Sequence, residues 1–372
     1  DGGSDFGRIS LQEMSTRLCG SADLFATEPG RGAPASINFV SCHDGFTLTD
    51  LTRYRSKHNE ANGENNNDGS SVNHSANFGV EGVTDDPDVI AAREQAAMNM
   101  IGMLLLSLGT PMMLAGDEFR NTQDGNNNAY CQDNDITWLK WDWMYSTNKT
   151  REMRRLETVS RLVALRKSLD LYHHEDFFTR LTQIGLLKPS SRVQWFLPDG
   201  TTPMERDWFD LGVRSFTMRL LSNSEVDVCI VVNGTADDRT FRLPPDTHWT
   251  PKWCSAEING RRAGHGTQVE ECDLNGDTTV WTQHVPDASE TVLKMVKEVA
   301  MQRTESSTEN EADTIKFAMP VTDHAANGTS SAPRDEVSAD MPDAPVDDTP
   351  DTPVDDNVWT MPALSITLMK QV

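Results

Sequence analysis

An imidazole and a carboxylate stand side by side at His43 and Asp44, directly after an apolar run that begins at Ser36. The run predicts a short, fully buried strand, and Gly45 allows the chain to turn after it. In α/β barrels, catalytic side chains stand at the carboxyl ends of parallel strands. The pair therefore predicts chemistry on a polar, hydroxyl-bearing ligand. The alternative is structural, with Asp44 capping the next helix and His43 merely packed.

A second pair of ionisable side chains, Asp117 and Glu118, follows the apolar run 111–116. Because this run also predicts a buried strand, we expect both pairs at the same end of a sheet. Glycosidases use two carboxyl groups that flank the scissile bond, about 5 to 9.5 Å apart. A structural ion pair is the alternative for these two residues.

The sequence argues against a metal centre or a cofactor. A His-Asp pair also occurs in the metal site of HD-domain phosphohydrolases, but there it lies on a helix with further histidine ligands. Here the other nearby histidines, His58 and His74, lie in predicted loop without metal-ligand spacing. The chain has neither a Gly-rich phosphate loop nor a GxSxG motif. We expect no metal and no cofactor.

Composition indicates a soluble cytoplasmic protein. The 372 residues are 37% hydrophobic, with a mean hydropathy of -0.53, and suffice for two domains. No unbroken apolar run reaches the roughly 18 residues of a membrane span, and the first residues lack the regions of a secretory signal. The six cysteines are dispersed without a CxxC pair, which favours reduced thiols.

The chain is strongly acidic, with a net charge of -24. This charge disfavours nucleic acid and anionic membranes as partners. Residues 297–356 hold 15 Asp and Glu against 4 Lys and Arg, a net charge of -11. Their Ser, Thr, Asp and Pro content predicts a disordered insert, which we interpret as a solubilising linker.

Hydrophobic periodicity separates a helical first part from a strand-rich second part. Helical patterns at residues 9–18, 87–108 and 149–168 alternate with the two predicted strands. Past residue 171, short apolar runs between turn signals predict an antiparallel sandwich. These runs are residues 193–196, 215–220, 226–232 and a closing strand at 358–369. A full barrel has about eight strand–helix units, whereas the first part of this chain holds about two. We therefore interpret this α/β part as the end of a barrel.

Five runs carry a family resemblance, and they occur in the family's order. They are residues 36–48, 57–64, 77–82, 114–119 and 125–134. Together they resemble the isoamylase-type glycogen-debranching enzymes of the α-amylase superfamily (glycoside hydrolase family 13). The resemblance implies a (β/α)8 TIM barrel, whose last two strand–helix units take residues 1–170. It also implies a C-terminal β-sandwich, here at residues 171–296 and 357–372, around the insert 297–356.

The resemblance also implies an activity and a set of site residues. The activity is hydrolysis of α-1,6-glucosidic branch linkages in glycogen or limit dextrin, with retention. Asp44 matches the third catalytic carboxylate, which stabilises the transition state, and His43 matches the adjacent substrate-binding histidine. The loop after the eighth strand is expected to line the glucan groove, with an Asn-rich surface loop as the alternative. Its candidate residues are Asn126, Asn127, Asn128 and Tyr130.

Three tryptophans follow that loop, at Trp138, Trp141 and Trp143. Indole rings at this place would stack on sugar rings. The alternative is an aromatic cluster that packs within the protein.

The family's nucleophilic Asp and acid/base Glu lie on earlier strands, and no segment here resembles those regions. We therefore expect a C-terminal portion that is inactive alone and whose partner is the remaining N-terminal part of the same enzyme. The alternative is a non-catalytic glucan-binding or truncated product.

Overall fold

The computed structural model describes residues 9–173, 177, 192–222, 226–245, 248–265, 270–271, 357–363 and 365–371. Helices dominate the first of these ranges. They are α1 Leu11–Leu18, α2 Ala22–Phe25, α3 Leu48–Leu51, α4 Pro87–Leu106 and α5 Arg151–Ser168. Short 3-10 helices lie at Ala33–Ala35, Glu60–Asn62, Asp117–Phe119, Asp142–Tyr145 and Asp170–His173.

The two long helices begin where the sequence predicts, because each has a capping side chain. Asp86 accepts hydrogen bonds from the backbone N–H groups of Asp88 and Val89 at the start of α4, where Pro87 occupies the first turn. Thr150 caps α5 through the N–H of Met153. The predictions of helices over 87–108 and 149–168 are confirmed to within two residues at each end.

Two short parallel strands lie before and after α4. β1 Ile37–Asn38 pairs with β2 Thr110–Pro111, and α4 forms the crossover between them. Gly109 precedes β2 with φ +114°, and a Cβ there would stand 2.7 Å from the carbonyl oxygen of Ser36. Glycine therefore lets the two strands approach each other at this point.

The prediction that β1 is fully buried is wrong. Ile37 is 61% exposed and Phe39 is 54% exposed, because β1 pairs only with β2 in the part of the chain that the structure describes. The second run is also shorter than predicted. Strand pairing ends at Pro111, and Gly116, with φ +98°, leads into a 3-10 helix that begins at Asp117.

Helix α4 is long and apolar enough to cross a membrane by length and composition, but half of it is buried inside the protein. It contacts α5 and the last strand of the chain. Its charged residues Arg93 and Glu94 are themselves buried. These features are those of the core helix of a folded domain.

Antiparallel sheets make up the second part of the chain. The strands are β3 Val193–Phe196, β4 Ser215–Leu220, β5 Val228–Asn233, β6 Arg239–Arg242, β7 Trp249–Cys254, β8 Arg261–Arg262, β9 Gly264–His265, β10 Glu270–Glu271, β11 Val358–Met361 and β12 Ser365–Gln371, with the short helix α6 Glu205–Phe209 after β3. Five of them form one sheet in the order β3-β4-β5-β12-β7, and three form another in the order β6-β11-β9. β10 and β8 form a two-stranded pair.

Alternation along the central strands gives the five-stranded sheet two apolar faces. Ile230 on β5 and Leu368 on β12 join the core that includes α4 and α5. Val231 and Met369, the next residues, join a second core with Phe241 and other residues of the three-stranded sheet. Both faces are covered, which explains why these strands are apolar at nearly every position.

One contact fixes the sheet against α4. A Cβ at Gly102 would stand 2.9 Å from the Trp253 ring, so glycine makes room for the indole. The indole N–H of Trp253 donates to the carbonyl of Thr158 on α5, at 3.2 Å. The described residues belong to one compact unit that comprises residues 1–292 and 354–372.

The closing strand predicted over 358–369 is instead two strands, β11 and β12. Pro362 separates them, since proline has no N–H to donate to a ladder. The predicted acidic insert, 297–356, lies outside the described residues. The domain boundaries remain predictions.

Candidate active site

The His43-Asp44 pair stands on an exposed turn that begins five residues after the end of β1. The two side chains are 86% and 80% exposed, with His43 Nε2 3.4 Å from Asp44 Oδ2. In the described part of the chain, neither side chain bonds to any other residue; the backbone carbonyl of Asp44 accepts from Cys42 Sγ at 3.1 Å. Gly45 has φ +99° and open space around it. The pair is therefore accessible to a ligand.

Asp44 does not cap the next helix, so that alternative is wrong. The cap of α3 is Thr47, whose hydroxyl oxygen accepts a hydrogen bond from the N–H of Asp50 at 3.2 Å. This leaves the carboxylate of Asp44 without a structural partner at the helix start.

The base of the turn is held firmly although its tip is exposed. Ser41 Oγ donates to Asp117 Oδ2, and the N–H of Leu48 donates to Asp117 Oδ1 at 2.9 Å. The N–H of Gly45 donates to the carbonyl of Asn127 at 2.9 Å. These bonds tie residues 41–48 to the segment that follows β2.

Asp117 is thus a buried residue beneath the turn and not an exposed partner of Asp44. It is 2% exposed. Burial raises the pKa of its carboxyl to about 6, and the hydrogen bonds from Ser41 and Leu48 oppose that rise. Glu118 accepts from the N–H of Gly116 at 2.9 Å, and burial also raises its pKa. Both residues are therefore structural, but the predicted ion pair is wrong: in the described part of the chain their partners are the hydroxyl of Ser41 and the N–H groups of Leu48 and Gly116.

A buried ion-pair network lies below Asp117. Arg155 contacts Glu94 at 2.8 Å, and Arg120 contacts the same carboxylate at 3.3 Å. Burial would favour the neutral form of Glu94, but the charges of Arg155 and Arg120 lower its pKa. Arg155 also reaches the carbonyl of Asp117, at 3.4 Å. The network supports the backbone from which Asp117 projects.

The Asn-rich loop after β2 is mostly a structural network. Asn126 and Asn127 are buried. Asn59 Nδ2 donates to Asn127 Oδ1 at 2.9 Å, and the N–H of Asn127 donates to Asn59 Oδ1 at 3.0 Å. Asn126 bonds to Asn62 at 2.8 Å. These amides join the loop to residues 57–70 and face into the protein.

The other two candidates of this loop are more open. Asn128 donates to Asp68 Oδ2 at 3.0 Å and is half-buried. Tyr130 is 73% exposed. Of the four loop candidates, Tyr130 is therefore the most accessible to a ligand.

Sequence reasoning missed the buried role of Asn59. A sequence signal was present, since two runs in the chain are both dense in asparagine. Residues 59–67 include Asn59, Asn62 and Asn65, and residues 126–128 are all asparagine. Amides carry both donors and acceptors, so such runs can satisfy each other.

The three tryptophans divide between the two alternatives. The rings of Trp141 and Trp143 lie 4.7 and 5.4 Å from that of Phe119. Trp138 is exposed, and its indole N–H donates to Asp133 at 3.0 Å. Packing therefore describes two of the three, and Trp138 remains available for stacking.

Within the described residues, no cluster of three or more His, Cys, Asp or Glu side chains could hold a metal ion. The five cysteines of this part of the chain are free thiols.

Two proteins similar to this chain carry names that refer to glycogen. No family model matches the chain. It is 44% identical over 210 residues to the glycogen operon protein GlgX homolog of Mycobacterium tuberculosis, which covers 56% of this chain and 28% of that protein. It is 37% identical over 270 residues to a glycogen debranching enzyme of Pectobacterium atrosepticum, which covers 72% of this chain and 38% of that protein.

Solved structures are only distantly similar. A pullulanase of Anoxybacillus sp. LM18-11, complexed with maltotetraose, matches with TM-score 0.41 and 18% identity, over 70% of this chain and 29% of that one. The catalytic module of the glycogen-degrading pneumococcal virulence factor SpuA matches with TM-score 0.46 and 11% identity, over 98% of this chain and 39% of that one.

The chain spans between 28% and 38% of the length of the first curated relatives that it matches. Over that part, its identity to them is high enough to show common descent. Over the matched segment, the chain is similar to proteins named glycogen operon protein GlgX homolog and glycogen debranching enzyme.

Proposed function

We propose that this chain forms part of a glycoside hydrolase that removes α-1,6-linked branches from glycogen or a related α-glucan, with retention. In this proposal residues 1–170 supply the last two strand–helix units of a (β/α)8 barrel, and a β-sandwich follows. The observation that carries the proposal is the exposed His43-Asp44 pair, which stands beyond β1 on a turn whose base is buried and bonded. The relatives named for glycogen debranching support the reaction.

The chemistry follows from a carboxylate whose side chain bonds, among the described residues, to His43 and to no other residue. Asp44 would accept hydrogen bonds from two ring hydroxyls of the sugar, and such charge-assisted bonds are stronger than neutral ones. They raise the rate to the extent that they tighten as the ring flattens toward the oxocarbenium ion. Asp44 thereby stabilises the transition state.

His43 would bind the same sugar from beside Asp44, since its ring nitrogen lies 3.4 Å from that carboxylate. Tyr130 and the half-buried Asn128 would extend the contact along the glucan. Asn126 and Asn127, whose side chains are buried, would shape the groove by holding the loop.

The groups that break the bond would come from the remaining N-terminal part of the enzyme, because the matching strands of the family precede this segment. The protein would then work in the cytoplasm, without a metal or cofactor, on α-glucan. A non-catalytic glucan-binding product is the competing proposal for the chain alone.

The test is Asp44→Asn in a full-length debranching enzyme that carries this segment, assayed for reducing ends released from a branched glucan. Asparagine keeps the size but loses the charge, so we expect turnover to fall by about 100-fold or more, with an unchanged circular dichroism spectrum. Asp85→Asn is the matched control, since Asp85 is also exposed. Turnover near that of wild type in the Asp44→Asn enzyme would refute the assignment. The isolated chain, run in parallel, is expected to release no reducing ends.

A further inference from the structure

One buried carboxylate reaches both ends of the segment that carries Asp44. Asp117 Oδ2 accepts from Ser41 Oγ, three residues before Asp44. Asp117 Oδ1 accepts from the N–H of Leu48 at 2.9 Å, four residues after it. The two oxygens of a single side chain thus close the segment into a loop.

Two further bonds fasten the loop between these ends. The N–H of Gly45, the residue next to Asp44, donates to the carbonyl of Asn127 at 2.9 Å. Thr47 Oγ1 donates to the carbonyl of Asn121 at 3.0 Å. Asn127 is itself fixed by its reciprocal pair with Asn59. All four acceptors lie in residues 117–127, after β2.

Burial separates the loop into a rigid base and an open tip. Ser41, Thr47, Leu48 and Asp117 are all buried, whereas His43 and Asp44 are largely exposed. Bonds at the base therefore restrict where the carboxylate of Asp44 stands while leaving its oxygens free for a ligand. Catalytic groups need this restriction, because a displacement of about 1 Å can cost about 100-fold in rate.

An apolar side chain would be easier to bury where Asp117 stands. Burial raises the pKa of Asp117 to about 6, so ionisation of this carboxyl is opposed by its surroundings. Packing alone does not account for a carboxylate at this place, but its two hydrogen bonds to the loop do.

We propose that Asp117 is a positioning residue that acts through Asp44, with Ser41 as its partner on the loop. The inference rests on the proposed function, since it assigns the loop that carries Asp44 to substrate. Asp117 does not touch the sugar. Its part is to hold the 41–48 loop so that Asp44 meets the flattened ring.

The test compares Ser41→Ala, Asp117→Ala and Asp117→Asn in the same full-length enzyme. If the bonds position a group that acts in the transition state, kcat should fall while KM changes less than about twofold. We expect a fall of about 5-fold for Ser41→Ala, which loses one hydrogen bond, and about 100-fold for Asp117→Ala. Asp117→Asn should recover to within about 5-fold of wild type, because its Oδ1 can accept from Leu48 and its Nδ2 can donate to Ser41.

Ser255→Ala is the matched control. Ser255 is buried, donates to Asn99 at 2.7 Å and accepts from the N–H of Ile366, away from the loop. We expect its kcat to stay within about twofold of wild type. If Asp117→Ala does not fold, Ser41→Ala decides the matter against this control.

The outcomes separate the inference from the proposed function. Unchanged kcat in both Ser41→Ala and Asp117→Ala, with Asp44→Asn inactive, overturns the positioning role and leaves the proposed function standing. A rise in KM without a fall in kcat, or an equal fall in the Ser255→Ala control, also overturns it. An active Asp44→Asn enzyme overturns the proposed function itself.

Discussion

Two carboxylates follow the two parallel strands, and their surroundings are opposite. Asp44 stands on an exposed turn, where its side chain pairs with His43 alone among the residues that the structure describes, whereas Asp117 is buried and bonded to Ser41 and Leu48. In the sequence, each carboxylate follows an apolar run. The difference arises after the run, because His43 and Asp44 lie on an exposed turn that continues at Gly45, whereas Asp117 begins a 3-10 helix after Gly116 and is buried. The same sequence pattern therefore gives one carboxylate that is open to a ligand, Asp44, and one that holds the loop on which Asp44 lies, Asp117.

The buried network beneath Asp117 depends on Arg155, which pairs with Glu94 and bonds to the carbonyl of Asp117. Replacing Arg155 should therefore have the largest effect on stability. Arg155→Met keeps most of the volume but leaves Glu94 buried without its closest cation. Leaving one member of a buried pair wholly uncompensated costs about 3 to 5 kcal/mol, and because Arg120 still contacts Glu94 at 3.3 Å, we expect a loss toward the lower end of that range. Urea denaturation of this chain should show that loss.

Arg151→Met is the control for that measurement, since Arg151 lies on the same helix and is exposed. It should change the free energy of unfolding by less than about 0.5 kcal/mol. Equal losses in the two variants would show that Glu94 and Arg155 do not support the buried side.

The pH dependence of stability sharpens the comparison with a smaller effect. Hydrogen bonds from the N–H groups of Arg55 and Ser56 and from Asn77 outweigh the partial burial of Glu81 and lower its pKa to about 2. Its stabilising contribution is therefore present above the unfolded-state pKa of about 4.5 and is lost as the pH falls toward 2. The pKa of Asp117 is raised to about 6, so its contribution is lost as the pH rises through 6.

Two variants separate these effects in thermal unfolding scans. The Tm of Glu81→Gln should lie below that of wild type at pH 5. This difference should shrink as the pH falls from 5 to 2, between the unfolded-state pKa of about 4.5 and the folded-state pKa of about 2. The Tm of Asp117→Asn relative to wild type should rise between about pH 4 and pH 7. If the Tm differences of both variants from wild type changed in the same direction with pH, the opposite pKa shifts of Glu81 and Asp117 would be contradicted.

Local signals made part of the fold predictable. The capping residues Asp86 and Thr150 mark the starts of α4 and α5. Alternation and turn signals mark β3 and β4, which lie where the sequence placed them. The exposure of β1 was not predictable, because burial depends on which elements cover a strand and not on its own apolar residues.

Long-range pairing explains what sequence reasoning missed in the candidate site. Asp44 stands out from its motif alone, but the bond from Ser41 to Asp117 joins residues 76 apart in the chain. The bond from Asn59 to Asn127 joins residues 68 apart. Neither spacing follows from helix or strand periodicity, so the supporting residues emerge only from the folded structure.

The most direct test of the contrast is the urea midpoint of this chain carrying Asp44→Ala or Asp117→Ala. The exposed Asp44 should cost less than about 0.5 kcal/mol. Asp117→Ala should cost about 2 to 3 kcal/mol, because the N–H of Leu48 and the hydroxyl of Ser41 lose their buried acceptor. Equal destabilisation by the two substitutions would contradict the account, since it would mean that Asp44 is as much a part of the folded framework as Asp117.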